Sequence, residues 1–304
     1  EVGNTETGHL NLGAGKIVYQ DLARINMAIA DGSFFTNKTL MSVAKHVSDN
    51  NSALHIMGLV GAGGVHSNVE HLFSLIHFAS QQKIQNVYLH LITDGRDSPP
   101  TSSKIYVSQI RSVIQREGVG TFASIMGRYW AMDRDKRWDR TLKAYRALTL
   151  GEGNMYKTPE EVIEDSYSTG KTDEFIEPAL MMNPEGKPVA LIKENDAVIF
   201  TNFRVDRPRQ LSRAFVFDDE KDIINIDLTD DPSVVKRTDE SNEQIFNRGN
   251  KINNLLFVTM TEYEKSLTNN GAKTIFPPIV VDMTLGAIVS HQNMKQLRVA
   301  ESEK

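Results

Sequence analysis

Four segments of the sequence carry side chains that suit the binding of a small anion, and each segment directly follows an apolar run. Together they supply one histidine, one aspartate and five arginines: His66, Asp97, Arg96, Arg128, Arg134, Arg204 and Arg207. Arginine presents a planar set of N–H donors that binds phosphate or carboxylate in bidentate fashion. The histidine and the aspartate add groups that can transfer protons. The set predicts a site for a small phosphorylated, carboxylated substrate.

One of these segments, "GRYWAMDRDKRWDR" (127–140), mixes basic, acidic and aromatic residues and admits three interpretations. Its rings and cations would suit a groove that stacks nucleic-acid bases, but its three aspartates and the net charge of -5 disfavour this. A solvated charged face suits Lys136, Arg137 and Arg140. For Arg128 and Arg134 we favour the wall of an anion pocket, in which the aspartates of the segment hold the arginines while no ligand is bound.

The other loops also have plain structural interpretations. "GAGGVHS" (61–67) lacks the G-x-G-x-x-G spacing of dinucleotide-binding loops. It can be a tight strand-to-helix turn in which His66 caps the helix or lies on the surface. "DGRD" (94–97) can be a polar turn in which Asp97 pairs with Arg96. Each signal is weak alone, and it is their coincidence after four predicted strands that favours a site.

The composition limits the class of protein. The chain has 304 residues, enough for one to three domains, and no cysteine, which excludes disulfides and thiolate metal sites. It contains no run of about 18 apolar residues that would span a membrane. The first residue is Glu1 rather than Met, and a glycine-rich motif follows at once, so we expect a fragment of a longer protein.

Short runs rich in β-branched and aromatic residues predict five buried strands, at 53–60, 87–93, 121–126, 196–203 and 254–260. Helical periodicity follows the first two runs. The alternation of strands and helices predicts an α/β fold with a mainly parallel sheet flanked by helices. Because loops at the carboxyl ends of parallel strands gather in one crevice, the four segments should meet there.

Two regions depart from this alternation. The pattern of residues 151–195 predicts a helix and exposed turns. The acidic, polar residues 217–251 predict a surface excursion that is partly mobile. His55 and His90 fall inside predicted strands, and we interpret them as structural.

A wider pattern is carried by "GNTETGHLNLGAGKIVYQDLARIN" (3–26), "GGVHS" (63–67), "DGRDSPPTS" (94–102), "GRYWAMDRDKRWDR" (127–140), "DAVIFTNFRVDRPRQLSRAF" (196–215) and "KQLRVAESEK" (295–304). Taken together, these segments resemble the cofactor-independent phosphoglycerate mutases, which are metal-dependent enzymes of glycolysis. The resemblance runs from one end of the chain to the other, except around residues 217–251.

This resemblance implies a protein of two domains. A transferase domain, here residues 20–280, holds the substrate and is inserted within a phosphatase-like domain of the alkaline phosphatase superfamily. Residues 1–19 would then be the nucleophile-loop segment of the phosphatase-like domain, and residues 281–304 its return segment. We expect the rest of that domain, with most ligands of its two Mn²⁺ or Mg²⁺ ions, to lie outside this sequence.

The resemblance also implies roles for individual residues. The substrate-contacting positions of the family match His66, Arg96, Asp97, Arg128, Arg134, Arg204 and Arg207. Asp97 would be the general acid or base for the substrate hydroxyls, with His66 assisting. Lys304 matches a substrate-binding lysine that approaches the phosphoryl group. Thr5 matches the serine that becomes phosphorylated and that also contacts the metal ions.

Two departures from the family pattern bear on this site. The family motif Gly-Asn-Ser-Glu-Val-Gly-His has Thr5 and Thr7 here in place of Ser and Val. Threonine keeps the hydroxyl, but its extra methyl restricts χ1 and crowds in-line attack, so Thr5 is either the nucleophile or a capping hydroxyl. Gly61 and Ala62 stand where the family has Ser-Asp, which removes a carboxylate from the loop of His66.

The implied activity is the interconversion of 3-phosphoglycerate and 2-phosphoglycerate through a phosphorylated hydroxyl, catalysed by the intact enzyme and not by this fragment alone. We expect a cytoplasmic monomer that binds this small substrate and neither nucleic acid nor membrane. One alternative is a non-catalytic phosphate- or anion-binding module. Another is a divergent metal-dependent phosphatase or phosphopentomutase of the same superfamily, against which the arginine pattern argues.

Overall fold

Eight strands form one mixed sheet in the computed structural model, which describes residues 5–224, 246–297 and 299, without the side chains of residues 5 and 6. In chain order the strands are β1 (Leu54–Val60), β2 (Val87–Thr93), β3 (Thr121–Gly127), β4 (Asn154–Tyr156), β5 (Ala179–Met181), β6 (Ala197–Phe200), β7 (Leu256–Thr261) and β8 (Lys273–Phe276). Their spatial order is β4-β5-β3-β2-β1-β6-β7-β8. The six neighbouring strands β3, β2, β1, β6, β7 and β8 run parallel to one another, and β5 pairs antiparallel with β3. The predicted, mainly parallel α/β sheet is therefore confirmed.

Helices cover both faces of this sheet. In the described part of the chain they are α1 (Thr5–Ala14), α2 (Asp21–Ala30), α3 (Lys38–Asn50), α4 (Val69–Gln81), α5 (Ser103–Glu117), α6 (Arg128–Ala131), α7 (Trp138–Leu150), α8 (Pro159–Ser168), α9 (Arg209–Val216), α10 (Glu220–Ile224), α11 (Lys265–Asn269) and α12 (Leu285–His291). Buried side chains of α2, α3, α4, α5 and α8 form one apolar cluster on the sheet. Those of α7, α9, α10 and α11 form another.

The apolar runs become strands because both faces of a parallel sheet are covered. Every residue of β1 is buried, and its side chains alternate between the clusters, with Leu54 and Ile56 in one and Met57 and Leu59 in the other. Helix caps define the connections. Asn68 Oδ1 accepts a hydrogen bond from Glu70 N (3.0 Å) at the start of α4.

The five predicted strands are all present, but the fourth ends early. In β6 the Asn202 side chain, rather than a further backbone carbonyl, accepts the hydrogen bond from Leu59 N (3.0 Å), so the chain turns away at residue 201. The short strands β4, β5 and β8 were not predicted. A segment of three or four residues is too short to show an alternation in sequence.

The expectation of a surface excursion over 217–251 was wrong at both of its ends. Phe217, Ile223 and Phe246 are buried in the cluster of α7, α9, α10 and α11. The guanidinium of Arg248 donates to the carbonyl oxygens of Ala214 (2.8 Å) and Phe217 (2.6 Å) at the end of α9. Residues 225–245 lie outside the described residues, so the predicted mobility stays a prediction.

The strand order reverses direction between β1 and β6. On one side the chain proceeds from β1 to β2 and β3, and on the other from β6 to β7 and β8. In open parallel sheets such a switch point opens a crevice at the carboxyl ends of the two strands, because their connections leave toward opposite sides. The loops that follow β1, β2, β3 and β6 therefore border one crevice.

A buried chain of hydrogen bonds crosses the sheet from β3 to the start of β6. Ser124 Oγ contacts His90 Nδ1 (2.8 Å), His90 Nε2 contacts His55 Nδ1 (2.8 Å), and His55 Nε2 contacts Asp196 Oδ2 (3.2 Å). Burial lowers the pKa of both histidines. Because the Asp196 carboxylate can only accept, His55 donates from Nε2, His90 donates from Nε2 to His55 Nδ1, and Ser124 donates to His90 Nδ1. Both rings are neutral in this arrangement. This agrees with a structural role for the two histidines.

Among the described residues, none of the helices combines the length and the apolar character needed to cross a membrane.

The buried histidines make stability depend on pH. Burial lowers the pKa of His71, whose Nε2 contacts Asn26 Oδ1 (2.9 Å), to about 4, whereas the unfolded chain binds this proton near 6.5. The stabilisation is therefore complete above about pH 6.5 and is lost as the pH falls from there toward 4. His55 and His90 act in the same sense.

The free energy of unfolding should fall when the pH is lowered from 7.5 to 5.5. We expect this fall to be about 1.4 kcal/mol smaller in His71→Gln, which keeps a donor for Asn26, than in the wild type. Urea unfolding at both pH values measures the difference. His291→Gln, at an exposed position, is the control and should leave the pH dependence unchanged. The same pH dependence in His71→Gln and wild type would contradict the expectation.

Candidate active site

The loops after β1 and β6 are joined by hydrogen bonds through His66. Its carbonyl oxygen accepts from Phe203 N (2.9 Å) and Arg204 N (3.3 Å). Ser67 Oγ donates to the Leu59 carbonyl oxygen (2.5 Å) and fixes the turn toward α4. The His66 side chain is buried and lies at the switch point, where parallel α/β sheets bind ligands.

The loop after β2 is organised by Asp94. Its Oδ1 accepts hydrogen bonds from Arg96 N (3.2 Å) and Asp97 N (3.1 Å), which closes a tight turn. Gly95 in this turn has φ +66° and packs so closely that a Cβ would lie 2.7 Å from Glu174 N. The turn presents Asp97 to the loop after β1.

Arg128, the first residue of α6, is the buried centre of the crevice. Its Nη1 lies 2.6 Å from Asp94 Oδ1 and 2.6 Å from Asp97 Oδ2, and 3% of its side chain is exposed. Burial lowers the pKa of Arg128, but its bonds to Asp97 and Asp94 outweigh burial and raise it. Burial raises the pKa of Asp97, but Arg128, His66 and Arg207 together lower it. Arg128 and Asp97 are both charged at neutral pH.

A carboxylate that sequence reasoning did not assign to the site, Asp206, holds two of its arginines. Asp206 Oδ2 accepts from Arg134 Nη1 (2.6 Å), and Asp206 Oδ1 accepts from Arg204 Nε (3.1 Å). Burial raises the pKa of Asp206, but Arg134, Arg204 and His66 outweigh burial and lower it. The signal was present in "RVDRPR" (204–209), where one aspartate stands between the predicted anion-binding arginines.

Arg207 lies where positive charge is in excess. Its Nη1 donates to the Met132 carbonyl oxygen (3.2 Å) rather than to a carboxylate. Burial lowers the pKa of Arg207, and the charges of Arg128, Arg134 and Arg96 lower it further. A cation whose pKa is lowered by neighbouring cations marks a place where an anion is stabilised.

His66 lies between two carboxylates and is neutral. Its Nε2 is 3.7 Å from Asp97 Oδ2, and its Nδ1 is 3.8 Å from Asp206 Oδ1. Burial, followed by the charge of Arg128, lowers the pKa of His66 to about 4, although both carboxylates act in the opposite direction.

Arg96 lies at the rim of the crevice. Its side chain is 58% exposed, and its Nη1 donates to Glu174 Oε1 (3.2 Å). Next to Glu174, the Asp173 carboxylate accepts from Ser102 N (2.8 Å) and Ser103 N (3.0 Å) at the start of α5. The 3-10 turn Asp173–Phe175 thereby ties the rim to the loop after β2.

The structure brings most of the predicted site residues into one cluster, with Arg96 at its rim: His66, Asp97, Arg128, Arg134, Arg204 and Arg207. Their roles in substrate binding remain predictions. Lys304 lies outside the described residues. Thr5 begins α1, but its side chain also lies outside them.

The aspartates within 127–140 do not hold the crevice arginines, contrary to expectation. Asp133 Oδ1 and Asp135 Oδ2 accept from Arg137 Nη1 (2.9 and 2.7 Å), with Asp133 buried and the other two side chains about half exposed. The guanidinium of Arg140 lies 3.7 Å from the centre of the Tyr129 ring. The segment therefore has a crevice side, with Arg128 and Arg134, and a solvated side. The solvated face considered for Lys136, Arg137 and Arg140 fits the exposed Lys136 and Arg137, whereas Arg140 is only 20% exposed.

The described residues contain no group of three or more His, Cys, Asp or Glu side chains that could hold a metal ion. The part of the chain that the structure describes therefore does not fit a two-metal site. The metal contact predicted for Thr5 concerns a side chain outside this description and stays a prediction.

Two glycines let the loop after β1 approach the loop after β2. A Cβ at Gly61 would lie 2.7 Å from Ser98 Oγ, and a Cβ at Gly63 would lie 2.6 Å from the Asp97 carbonyl oxygen. A serine at position 61, as in the family pattern, would require Ser98 to move. The close contact of the two loops thus favours glycine over the serine of the family pattern at position 61.

Comparison with known proteins gives consistent matches. Residues 25–265 match the family described as "BPG-independent PGAM N-terminus". The chain is 46% identical over 315 residues to the 2,3-bisphosphoglycerate-independent phosphoglycerate mutase of Chloroflexus aggregans. It is 44% identical over 304 residues to the protein of the same name from Moorella thermoacetica. Each alignment includes all of this chain but only 55% and 54% of the relative, so the chain spans about half the length of the curated relatives it matches.

A solved structure has the same fold. It belongs to crystal structures of Leishmania mexicana phosphoglycerate mutase at low cobalt concentration. The TM-score is 0.74 at 26% sequence identity, and the superposition covers 96% of this chain and 50% of that chain.

The two ends of the arginine cluster should differ sharply in their effect on stability. Arg128→Ala leaves Asp94 buried without its cation, and we expect it to lower the free energy of unfolding by about 3–5 kcal/mol. Arg96→Ala removes an exposed pair with Glu174 and should cost no more than about 1 kcal/mol. Urea denaturation at pH 7.5 measures both values. Similar losses in the two variants would show that the buried pair is not a structural centre.

Proposed function

Because this chain belongs to the family described as the BPG-independent PGAM N-terminus, we propose that it is the substrate-binding lobe of an enzyme that interconverts 3-phosphoglycerate and 2-phosphoglycerate. The family match confirms the resemblance carried by the sequence motifs. The observation that carries the proposal is the crevice at the switch point, where the charges of Arg128, Arg134 and Arg96 act on Arg207, whose Nη1 donates to the Met132 carbonyl oxygen. Such a place favours a multiply charged small anion.

The arginines bind the two anionic groups of the substrate. Arg128 is fixed at the base of the crevice by Asp94 and Asp97, so it provides a donor in a constant position. Arg134 and Arg204 are about half exposed and can adjust to the ligand. In 3-phosphoglycerate the phosphate and the carboxylate lie at opposite ends of a three-carbon chain, so they need cations on more than one side of the crevice. The loops after β2, β3 and β6 supply these cations.

Asp97 and His66 act on the substrate hydroxyls. Asp97 is ionised, His66 is neutral, and a gap of 3.7 Å separates Asp97 Oδ2 from His66 Nε2. A hydroxyl that bridges these two atoms from the open side of the crevice can donate a proton to Asp97, which serves as general base in one direction and as general acid in the other. His66 assists by binding the same hydroxyl.

The phosphoryl group is transferred to a hydroxyl outside the crevice. We propose Thr5 as this nucleophile and Lys304 as a cation that approaches the phosphoryl group. The described residues do not fit a two-metal site, so the Mn²⁺ or Mg²⁺ ions of the enzyme would be held mainly by other parts of the polypeptide, with Thr5 as this chain's contact. A metal in the reaction is supported by the Leishmania mexicana phosphoglycerate mutase, whose crystal structures were obtained at low cobalt concentration.

The proposed domain division has residues 20–280 as the transferase domain, with residues 1–19 and 281–304 belonging to a phosphatase-like domain. It is supported by the contact between α1 and α12, which lie near the two ends of the described chain. It is further supported by large apolar side chains exposed in these segments, such as Leu12 (73%), Met294 (64%) and Leu297 (90%). Such side chains fit burial against further parts of a longer polypeptide. We further propose that the enzyme acts as a cytoplasmic monomer.

Binding of the substrate to this chain tests the crevice directly. We expect 3-phosphoglycerate to bind, and Arg207→Ala to weaken binding about 10- to 100-fold, because a charged hydrogen bond contributes about 1.5–3 kcal/mol. Isothermal titration calorimetry at fixed ionic strength measures the affinities.

The matched control for that measurement is Arg111→Ala. Arg111 forms an ion pair with Glu160 (2.7 Å) away from the crevice, between α5 and α8, so its loss should change the affinity by less than about twofold. Equal affinities of wild type and Arg207→Ala would place the ligand elsewhere and refute the proposed crevice.

Turnover must be tested in the full-length enzyme that contains this chain. There, Thr5→Ala should lower the conversion of 3- to 2-phosphoglycerate by more than about 10³-fold, because a nucleophile is lost, whereas Thr5→Ser should keep it. Thr7→Ala is the control in the same helix, where the Thr7 hydroxyl accepts a hydrogen bond from Gln20 Nε2 (2.7 Å). Full activity of Thr5→Ala would exclude Thr5 as nucleophile. An inactive full-length wild type would instead favour a non-catalytic anion-binding module.

A further inference from the structure

Asp206 contacts a histidine of the crevice as well as two of its arginines. It lies within 4 Å of three side chains from three loops: Arg134 (2.6 Å), Arg204 (3.1 Å) and His66 (3.8 Å). Arg134 follows β3, Arg204 follows β6 and His66 follows β1. The side chains of Arg134 and Arg204 are about half exposed, whereas that of His66 is buried, so of the three contacts the one with His66 is the most shielded from water.

The His66 ring cannot rotate freely relative to Asp206. The His66 carbonyl oxygen accepts hydrogen bonds from Phe203 N and Arg204 N, which ties its backbone to the segment that carries Asp206. The side chain is 4% exposed. Nδ1 has no accessible surface and no hydrogen-bond partner among the described residues, and the carboxylate it faces is that of Asp206.

The position of the His66 proton follows from this geometry. A neutral imidazole carries its proton on one nitrogen and a lone pair on the other. A lone pair on the sealed Nδ1 would face the Asp206 carboxylate, and two acceptors repel where no water can enter between them. A proton on Nδ1 turns that repulsion into attraction.

The opposite nitrogen has a different neighbour. Nε2 faces Asp97 Oδ2, and this same oxygen already accepts the short bond from Arg128 (2.6 Å). With its proton on Nδ1, His66 presents a lone pair at Nε2. The crevice then presents two acceptors 3.7 Å apart, and a ligand hydroxyl that contacts both from the open side of the crevice can donate to either one.

We propose that Asp206 is a positioning residue that keeps the proton of His66 on Nδ1 and so leaves Nε2 as an acceptor for the substrate hydroxyl. The same carboxylate holds Arg134 and Arg204 at the crevice before the anion enters. The consequence for turnover rests on the proposed mutase function, but the position of the proton does not.

Nitrogen NMR on this chain tests the proton position without any substrate. Long-range ¹H–¹⁵N spectra of ¹⁵N-histidine protein at pH 7.5 distinguish the two tautomers, and His66→Gln assigns the His66 signals. We expect wild-type His66 to be protonated at Nδ1 and Asp206→Ala to shift the proton to Nε2. The signals of buried His55 and His90 report whether each variant is folded.

Asp135→Ala is the matched control, because it removes a carboxylate that pairs with Arg137 (2.7 Å) on the outer surface. It should leave the His66 tautomer unchanged. Wild-type His66 protonated at Nε2, or an Nδ1 proton that persists in folded Asp206→Ala, would overturn the assignment.

Kinetics of the full-length enzyme test the consequence. Asp206→Ala should lower kcat by about tenfold or more, since a misplaced proton impairs acid–base transfer, while Asp135→Ala stays near wild type. An unchanged kcat in Asp206→Ala, with an active parent, would overturn the positioning role. An inactive parent would instead count against the mutase function, and the spectra would still decide where His66 carries its proton.

Discussion

The buried ion pair of Arg128 with Asp94 and Asp97 is the interaction on which the rest of the crevice depends. A guanidinium taken out of water loses several kcal/mol of solvation, and only close carboxylates offset that loss. Asp94 meets this need while its Oδ1 also closes the turn after β2. Arg128 therefore couples the carboxyl ends of β2 and β3, and the direction in which Asp97 faces His66 follows from that coupling.

The crevice combines a rigid base with adjustable walls. Arg128 is buried and has two carboxylates, whereas Arg134 and Arg204 are about half exposed and share Asp206. An anion that enters must compete with Asp206 for these two arginines, whereas at Arg207 it competes with the Met132 carbonyl oxygen for Nη1. Selectivity can therefore come from how well a ligand satisfies Arg207 and Arg128 while the outer arginines rearrange.

The sequence allowed the core of the fold and the location of the crevice to be predicted, but not the pairing of its charges. Long buried strands show a continuous apolar run, and the rule for carboxyl ends then places the following loops together. Edge strands such as β4 and β8 are too short to leave this mark. The partner of Arg134 is Asp206, 72 residues away, rather than the adjacent Asp133 or Asp135. Such pairings depend on how loops meet in space, which local spacing does not encode.

The same electrostatics determine which kind of ligand the described crevice suits. The crevice is formed by loops that follow β1, β2, β3 and β6, with Glu174 at its rim, and both faces of that sheet are covered by helices of this chain. The described crevice offers arginines, a histidine and ionised aspartates already paired with arginines, but no cluster of free carboxylates that a divalent cation would need. A site with an excess of guanidinium groups repels metal ions and attracts phosphate. The described crevice is therefore suited to hold an anion and does not by itself supply the ligands of a divalent cation.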